Sequence, residues 1–495
     1  MTGPAGAATR PGAAWAPLII VFGIAFGLRL AAAVALPNIH HPDEIFQSLE
    51  QAYRAVFGYG IVPWEFRDGA RSWLLPGLLA GPMWLGNWLA PGTGAYRVLA
   101  LALVAALTAS TASLGFAWGR RFGEPHAVLA AVILATWFEL VYFGAKPFAE
   151  VIASCFLFAG VFAASARPAD ARPRRAFLTG VLLSCAFVFR FHLAPAIALA
   201  ALWHCRAEVR NLLLPLLAGA AIPLAILGLT DWVTWSIPFG SIIRNFTANI
   251  LEGRSQFYGV SPTYWYLQQF VHYWGVAAVA IVALAVWGAR RDPLPVLAAA
   301  VIVLAHSAIA HKEYRFIYPA LPLLLFSAAL GSAECCRWIA SVRQRLDREH
   351  SLAALAIFAW LLASLALATS DAMRPEWSRG RGGLEAMSHA GMRAQCGVAL
   401  EGIVWAWTGG YSSLHRNLPV HELDPRHSGD WNTRVFDAWI APRTAAEPAA
   451  AGFERRHCYP QHDGYVDDVC LWTRTGPCEH SARSEIQRAM EARGE

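Results

Sequence analysis

Residues 15–37 read "WAPLIIVFGIAFGLRLAAAVALP" and carry a single charge, Arg29. A helix of that length rises far enough to cross the ~30 Å hydrocarbon layer of a bilayer. Ten further apolar runs follow, near 96–118, 126–144, 147–166, 176–191, 193–205, 211–230, 272–289, 294–310, 316–335 and 351–369. The expected fold class is therefore an all-α polytopic membrane protein with about eleven transmembrane helices. Composition agrees: 15% of residues are charged, where soluble domains carry about 25%. The formal charge of +6 fits basic cytoplasmic loops and calls for no nucleic-acid partner.

Arginine placement tests that span count. Arg120 and Arg121; Arg167, Arg172, Arg174 and Arg175; Arg206 and Arg210; Arg290 and Arg291; and Arg337, Arg343, Arg345 and Arg348 fall in alternate connections. By the positive-inside rule these loops face the cytoplasm, which puts the N-terminus inside and everything after residue 370 outside. The first span is too long for a signal-peptide core, so the leader "MTGPAGAATRPGAA" reads as preceding an anchor. Abundant Ala, Arg, Gly and Pro with only two lysines, Lys146 and Lys312, point to a GC-rich bacterial gene and an inner-membrane location. In a eukaryote the equivalent site would be the lumenal face of the endoplasmic reticulum.

Two units are expected. Residues 1–370 form the membrane unit, with a first external loop over 38–95. Residues 371–495 form a small extracytoplasmic α/β domain, since short apolar runs there flank a Gly-Gly turn. Cys396, Cys458, Cys470 and Cys478 suggest two disulfides with three possible pairings. Zinc is the rival, but no CxxC pair is present. The five other cysteines lie in or beside spans and read as small apolar filler.

The unusual polar clusters gather on the outer side: "HHPDEIFQ", "PWEFRDGARSWLLPG", "GAKPFAE", "RFHLAP", "RNFTANILEGRSQFYGVSPTYWYLQQ" and "HKEYRFIYP". After Pro42, apolar residues at helical spacing predict an amphipathic helix lying at the interface, with Asp43 and Glu44 in its first turn. One acid there complements a helix dipole; two acids behind paired histidines suit a catalytic or substrate-binding site better. His40, His41, Asp43 and Glu44 cannot all converge locally, so no metal is expected. His311, Lys312 and Arg315 form an outward cationic site, against the positive-inside bias, that suits a lipid phosphate. Lys146 and Arg190 end outward spans and are candidates to join it.

Taken in order, HPDEIFQ, PWEFRDGARSWLLPG, FYGVSPTYWYL and HKEYRFIYP resemble the blocks of glycosyltransferase family 22, the polyprenyl-phosphate-mannose-dependent mannosyltransferases of N-glycan-precursor and GPI-anchor synthesis. The resemblance spans roughly residues 38–320. It implies a GT-C fold with an active site at the outer face and inverting transfer of mannose, or another hexose, from a polyprenyl-phosphate donor to a glycan or glycolipid hydroxyl. It implies no cofactor and no metal, with membrane lipids as surroundings. Asp43 is then the expected base, with Glu44 the close alternative. His311, Lys312, Arg315, Arg190 and Lys146 would hold the donor phosphate. His41, Gln47, Trp64, Glu65, Arg67, Arg71, Tyr258, Tyr264 and Trp265 would bind substrate. The sequence departs from the family pattern at Tyr314, where relatives carry an acid or polar residue, and in "GAKPFAE", which lacks an expected asparagine. A polyprenyl-phosphate-pentose or lipid-A-type transferase of the same architecture is the nearest alternative; a transporter or flippase is a more distant one.

Overall fold

The structure, a computed structural model, describes residues 15–165, 172–206, 208–343, 348–423, 431–461, 468–477 and 479. Each of the eleven apolar runs folds as helix. Among the described residues, five helices are long and apolar enough to cross a membrane alone: Ala16–Ala35, Ala95–Gly119, Val209–Trp235, Ala320–Val342 and Glu349–Ala368. Trp265–Trp274 and Ala277–Gly288 make a sixth candidate, bent by 109° at the break between them. The remaining runs form shorter helices, among them Glu124–Thr136, Ala149–Ala164, Pro173–Phe189, Ala194–Cys205 and Leu294–Ser307. The chain is an integral membrane protein.

Helix Ala320–Val342 is the axis of the bundle and packs against six other helices, while Ala16–Ala35 and Glu349–Ala368 expose most of their apolar surface. Without a hydrophobic drive between helices in lipid, close backbone packing must hold the axis. Gly288 and Gly331 provide it: a Cβ on either would sit 2.0 or 1.8 Å from a backbone oxygen of the facing helix. The bundle has two chemically distinct ends. At one, the Asp292 carboxylate takes bonds from Ser165 and from Trp118 Nε1 (3.0 Å), and Arg291 reaches Glu334 at 2.8 Å. Helix Ala149–Ala164 runs from that end to the other, where Glu150 meets Arg190 and Arg315.

The loop over 38–95 holds a helix that the sequence reading did not anticipate. Leu74–Leu89 is helical despite Pro82 and packs against Ala95–Gly119, with Gly86 against the backbone of Tyr96. Glycine and proline punctuate soluble helices, but an apolar environment tolerates them where neighbouring helices cover the freed backbone. Trp84, Leu85, Trp88 and Leu89 remain exposed along it.

The expected helix after Pro42 is present as a π-turn, Ile45–Leu49, running into Glu50–Phe57. It does not lie at an open interface. Glu50 and Gln51 are as buried as Leu49 and Tyr53: Glu50 accepts from the Tyr411 and Ser412 N–H groups of the C-terminal unit, and Gln51 donates to the Phe46 and Ile61 carbonyls. Among its described residues that unit has five strands: β1 (Val398–Glu401), β2 (Val420–Leu423), β3 (Ala438–Pro442), β4 (Glu454–Pro460) and β5 (Asp468–Thr473). Their order is β2-β1-β3-β5-β4, with β2-β1-β3 parallel and β3-β5-β4 antiparallel. Central β1 is buried throughout, as a parallel strand covered on both faces must be. Helix Arg381–Arg393 covers one face. Cys458 and Cys470 face each other across β4 and β5 and are disulfide-bonded; Cys396 is disulfide-bonded too, and Cys478 lies outside the described residues.

Candidate active site

Proline at 42 sets where the acidic motif turns. Ile45 and Phe46 N–H both bond back to the Pro42 carbonyl, which starts the helix and sends adjacent side chains in different directions. Asp43 faces a cavity of about 650 Å3. Glu44 does not line it: its carboxylate accepts from the His40 backbone N–H at 2.6 Å and from the buried Lys146 at 3.3 Å. Asn38 holds the same ammonium through its carbonyl and its side-chain oxygen. His40 is turned away too, toward Glu376 (3.1 Å) and Tyr142 (3.2 Å).

The HKEYRF segment enters the cavity from the far side of the bundle. Arg315, 3% exposed in its side chain, gives one nitrogen to Asp43 at 2.6 Å and another to Glu313 at 2.6 Å, and lies 3.7 Å from Glu150. His41 completes a loop of charge, 3.3 Å from Asp43 and 3.7 Å from Glu313. His311 faces two acceptors, the Gly259 carbonyl at 2.9 Å and Glu313 at 3.0 Å. Two acceptors, one on each ring nitrogen, favour the doubly protonated ring. The Glu313 bond accordingly raises its pKa. Lys312 donates to the Ser261 and Ile309 carbonyls.

Burial alone would push the Asp43 carboxyl upward, but Arg315 and then His41 overcome it and hold it well below the usual carboxylate range. Glu313 is depressed in the same way, with burial opposed by Arg315 and His41. Glu65 behaves oppositely. It lines the cavity, accepts from Gln47 at 2.7 Å, and is pushed up to about 7 by burial and the nearby Asp43 charge. Two carboxylates on one cavity are thus set to different proton affinities by their surroundings.

Four buried donors or acceptors on this wall have no partner among the described residues: Arg71 Nε, Arg190 Nε, His192 Nδ1 and His306 Nε2. Buried polar atoms are nearly always satisfied, so a cluster of exceptions in one cavity marks a place for a polar ligand. Arg71 is held by a second loop that crosses the first. Trp235 Nε1 donates to the Arg71 carbonyl at 3.0 Å, and Arg254 reaches Asp68 at 3.0 Å while stacking on Trp64.

Of the expected site residues, His41, Asp43, Gln47, Trp64, Glu65, Arg71, Arg190, Tyr258, His311, Lys312 and Arg315 line this cavity. Glu44 and Lys146 line a separate small one, and Arg67, Tyr264 and Trp265 do not line the main one. Sequence reasoning did not single out Glu313, Glu150, His192 or Asn245, all within motifs already quoted. Nor did it find Val404, Trp405 and Glu422, which line the cavity from the C-terminal unit and carry no local signal.

A family model described as the Alg9-like mannosyltransferase family matches residues 20–377. GPI mannosyltransferase 3 of Yarrowia lipolytica is 29% identical over 331 residues, covering 61% of this chain and 60% of that protein. GPI mannosyltransferase 3 of Drosophila melanogaster is 28% identical over 332 residues, covering 62% and 55%. The chain thus spans 60% or less of the length of these two relatives. Among solved structures, ArnT from Cupriavidus metallidurans bound to undecaprenyl phosphate superposes with a TM-score of 0.56 at 12% identity, over 92% of this chain and 96% of that one. The likeness is one of fold, and the architecture is the expected GT-C type with a small C-terminal sheet.

Proposed function

The chain belongs to the Alg9-like mannosyltransferase family, and on that premise we propose that it transfers a mannosyl residue, with inversion, from a polyprenyl-phosphate donor to a hydroxyl of a glycan or glycolipid acceptor. The observation that carries this reading is the convergence of Asp43 with Arg315, Arg190 and Arg71 on one cavity, where two of those guanidiniums keep unpartnered buried nitrogens. An acid beside concentrated, unsatisfied cations suits displacement of a phosphate by an activated hydroxyl. Asp43 takes the acceptor's proton as the hydroxyl oxygen bonds to the anomeric carbon. The bond from that carbon to the phosphate oxygen breaks, and the phosphate leaves with the electron pair, needing no proton because Arg315, Arg190, Arg71, Lys312 and His311 stabilise its charge.

The ion pair between Asp43 and Arg315 gives this chemistry an order. A carboxylate held by a guanidinium at 2.6 Å is a weak base. The donor phosphate competes for Arg315, and as the guanidinium turns its charge to phosphate, the proton affinity of Asp43 rises. Glu44 is the weaker candidate for the base because it does not line the cavity and its carboxylate is turned to Lys146 and the His40 N–H. Family membership favours mannosyl transfer over the lipid-A-type alternative, which the ArnT likeness supports by fold only.

The domain division at about residue 370 and the sidedness belong to the same proposal. The Arg-rich end of the bundle, around Glu334 and Asp292, faces the cytoplasm. The cavity and the C-terminal unit face outward, in a bacterial inner membrane or, in a eukaryote, the lumen of the endoplasmic reticulum. The test is transfer by the purified full chain in nanodiscs, from polyprenyl-phosphate-[14C]mannose to extracted membrane glycolipid. Labelled glycolipid is expected with the wild type and not with Asp43→Asn. Labelling from GDP-mannose with none from the polyprenyl donor would overturn the reading.

A further inference from the structure

The polar atoms left without a described partner on the main cavity are not alike. Arg71 Nε and Arg190 Nε can only donate. His306 differs. It lies on helix Leu294–Ser307, 3% exposed, and its Nδ1 faces the Ile302 carbonyl at 2.8 Å. A carbonyl only accepts, so Nδ1 carries the proton that this bond needs. The ring is thereby tied back to its own helix, and its far edge, with Nε2, is left to the cavity that His306 lines. A second proton there would add a cation to a corner that already holds two. Arg190 and Arg315 flank the Phe316 ring at 5.0 and 5.2 Å from its centroid, and the His306 ring meets the same ring at 6.5 Å. A further buried, unpaired charge beside them is costly, so Nε2 keeps its lone pair. It is a buried acceptor with no partner among the described residues.

The donor's phosphate does not satisfy that atom. An ionised phosphodiester offers accepting oxygens, which suit Arg71 and Arg190, and has no proton to give. Nε2 calls for a hydroxyl. The same ligand brings one, because its sugar is bonded directly to the phosphate, and Phe316 sets His306 one ring away from Arg190 and Arg315. His192 lies on the turn Phe191–Leu193, two residues after Arg190. Its Nδ1 also lacks a described partner, and its ring centroid is 6.4 Å from that of His306. A neutral imidazole nitrogen either donates or accepts, so beside the fixed acceptor of His306 it suits a hydroxyl group, which does both.

We propose that His306 is a specificity residue for the donor: its Nε2 accepts a hydrogen bond from one hydroxyl of the donor sugar, with His192 as the second contact. The proposal rests on the transferase reading above and deepens it, by naming the atom that reads the sugar. A donor whose sugar lacks that hydroxyl leaves Nε2 unpaired in a closed site and is rejected.

The test uses the full chain in nanodiscs and equilibrium binding of polyprenyl phosphate, polyprenyl-phosphate-mannose and its monodeoxymannosyl analogues. Wild type should bind one deoxy donor about tenfold or more weakly than the mannosyl donor. Equal binding of all the analogues overturns the proposal, and that comparison needs no variant. A folded His306→Leu should bind the mannosyl donor about tenfold more weakly and no longer distinguish it from that deoxy donor, with polyprenyl phosphate within about twofold of wild type. An equal loss for polyprenyl phosphate would make His306 a structural residue, and no change for any ligand would leave Nε2 to a bound water; both results overturn the assignment. In transfer assays the donor KM of this variant should rise about tenfold with the acceptor KM unchanged. A rise in acceptor KM alone moves the hydroxyl to the acceptor and likewise overturns it. Binding that discriminates without any transfer would sink the transferase reading and leave the subsite standing; transfer without discrimination would do the opposite.

Discussion

Asp43 and Glu44 are neighbours in sequence and belong to different regions of the molecule. Asp43 stands on an open cavity, in a cluster where Arg71, Arg190, His192 and His306 keep unpartnered polar atoms. Glu44 stands in a packed seam between the loop and the rest of the fold, with Lys146, Asn38 and the His40 N–H all matched to partners. Glu50 and the His40–Glu376 pair extend that seam, joining the loop over 38–95 to the C-terminal unit. Both regions are rich in buried charge. What separates them is satisfaction: a region whose donors and acceptors are all spent holds structure together, and one with donors left over awaits a ligand.

Substitutions can break this contrast, and the largest effect is expected at Asp43. Asp43→Asn should lower kcat by about 10²–10⁴-fold, the range for loss of a general base, with the thermal midpoint in detergent close to wild type. A midpoint collapse with activity per folded molecule retained would place Asp43 in the seam instead. Glu44→Gln should do the reverse. It leaves Lys146 buried without its counter-charge and costs about 3–5 kcal/mol of stability, while kcat per folded molecule stays within about tenfold. Adding Lys146→Met should return part of the lost stability, and denaturant melts of the three proteins would show it.

Arg315→Lys sharpens the cavity side. A guanidinium engages Asp43 and Glu313 at once through separate nitrogens, which a point-charge ammonium cannot reproduce. An activity loss of about 10²-fold is expected, mostly in donor kcat/KM; equal activity would remove Arg315 from the phosphate site.

The smallest effect is a pH slope. Glu65 is pushed up to about 7 in the folded chain, against about 4.3 for an unfolded glutamate. Between those values the folded state keeps a proton that the unfolded state has released. The contribution is therefore full below about 4.3 and is lost as pH rises through about 7. Glu65→Gln should flatten the fall in thermal midpoint over that interval without abolishing it, since Glu50 is raised to about 7 as well. An unaltered slope would mean that Glu65 is ionised in the folded protein.

The spans were legible because burial in lipid demands long apolar helices, and nothing else in a chain reads so plainly. Leu74–Leu89 escaped because its prolines and glycines mimic loop signals, and the bend between Trp274 and Ala277 escaped because hydropathy records length, not direction. The charged blocks were legible as chemistry, and their order along the chain carried the family resemblance.

The amino-acid sequence by itself determined the membrane class, the polar motifs and the positions of both acids. Tertiary structure alone decided which acid faces the cavity, that Lys146 is spent on Glu44, and that Trp405 and Glu422 line the same cavity as the cations. The physical reason is that apolar periodicity and charge are properties of a local stretch. The partner of a buried charge is set by residues that here lie 102 positions apart for Glu44 and Lys146 and 272 for Asp43 and Arg315, and only the packed bundle brings them within hydrogen-bonding reach.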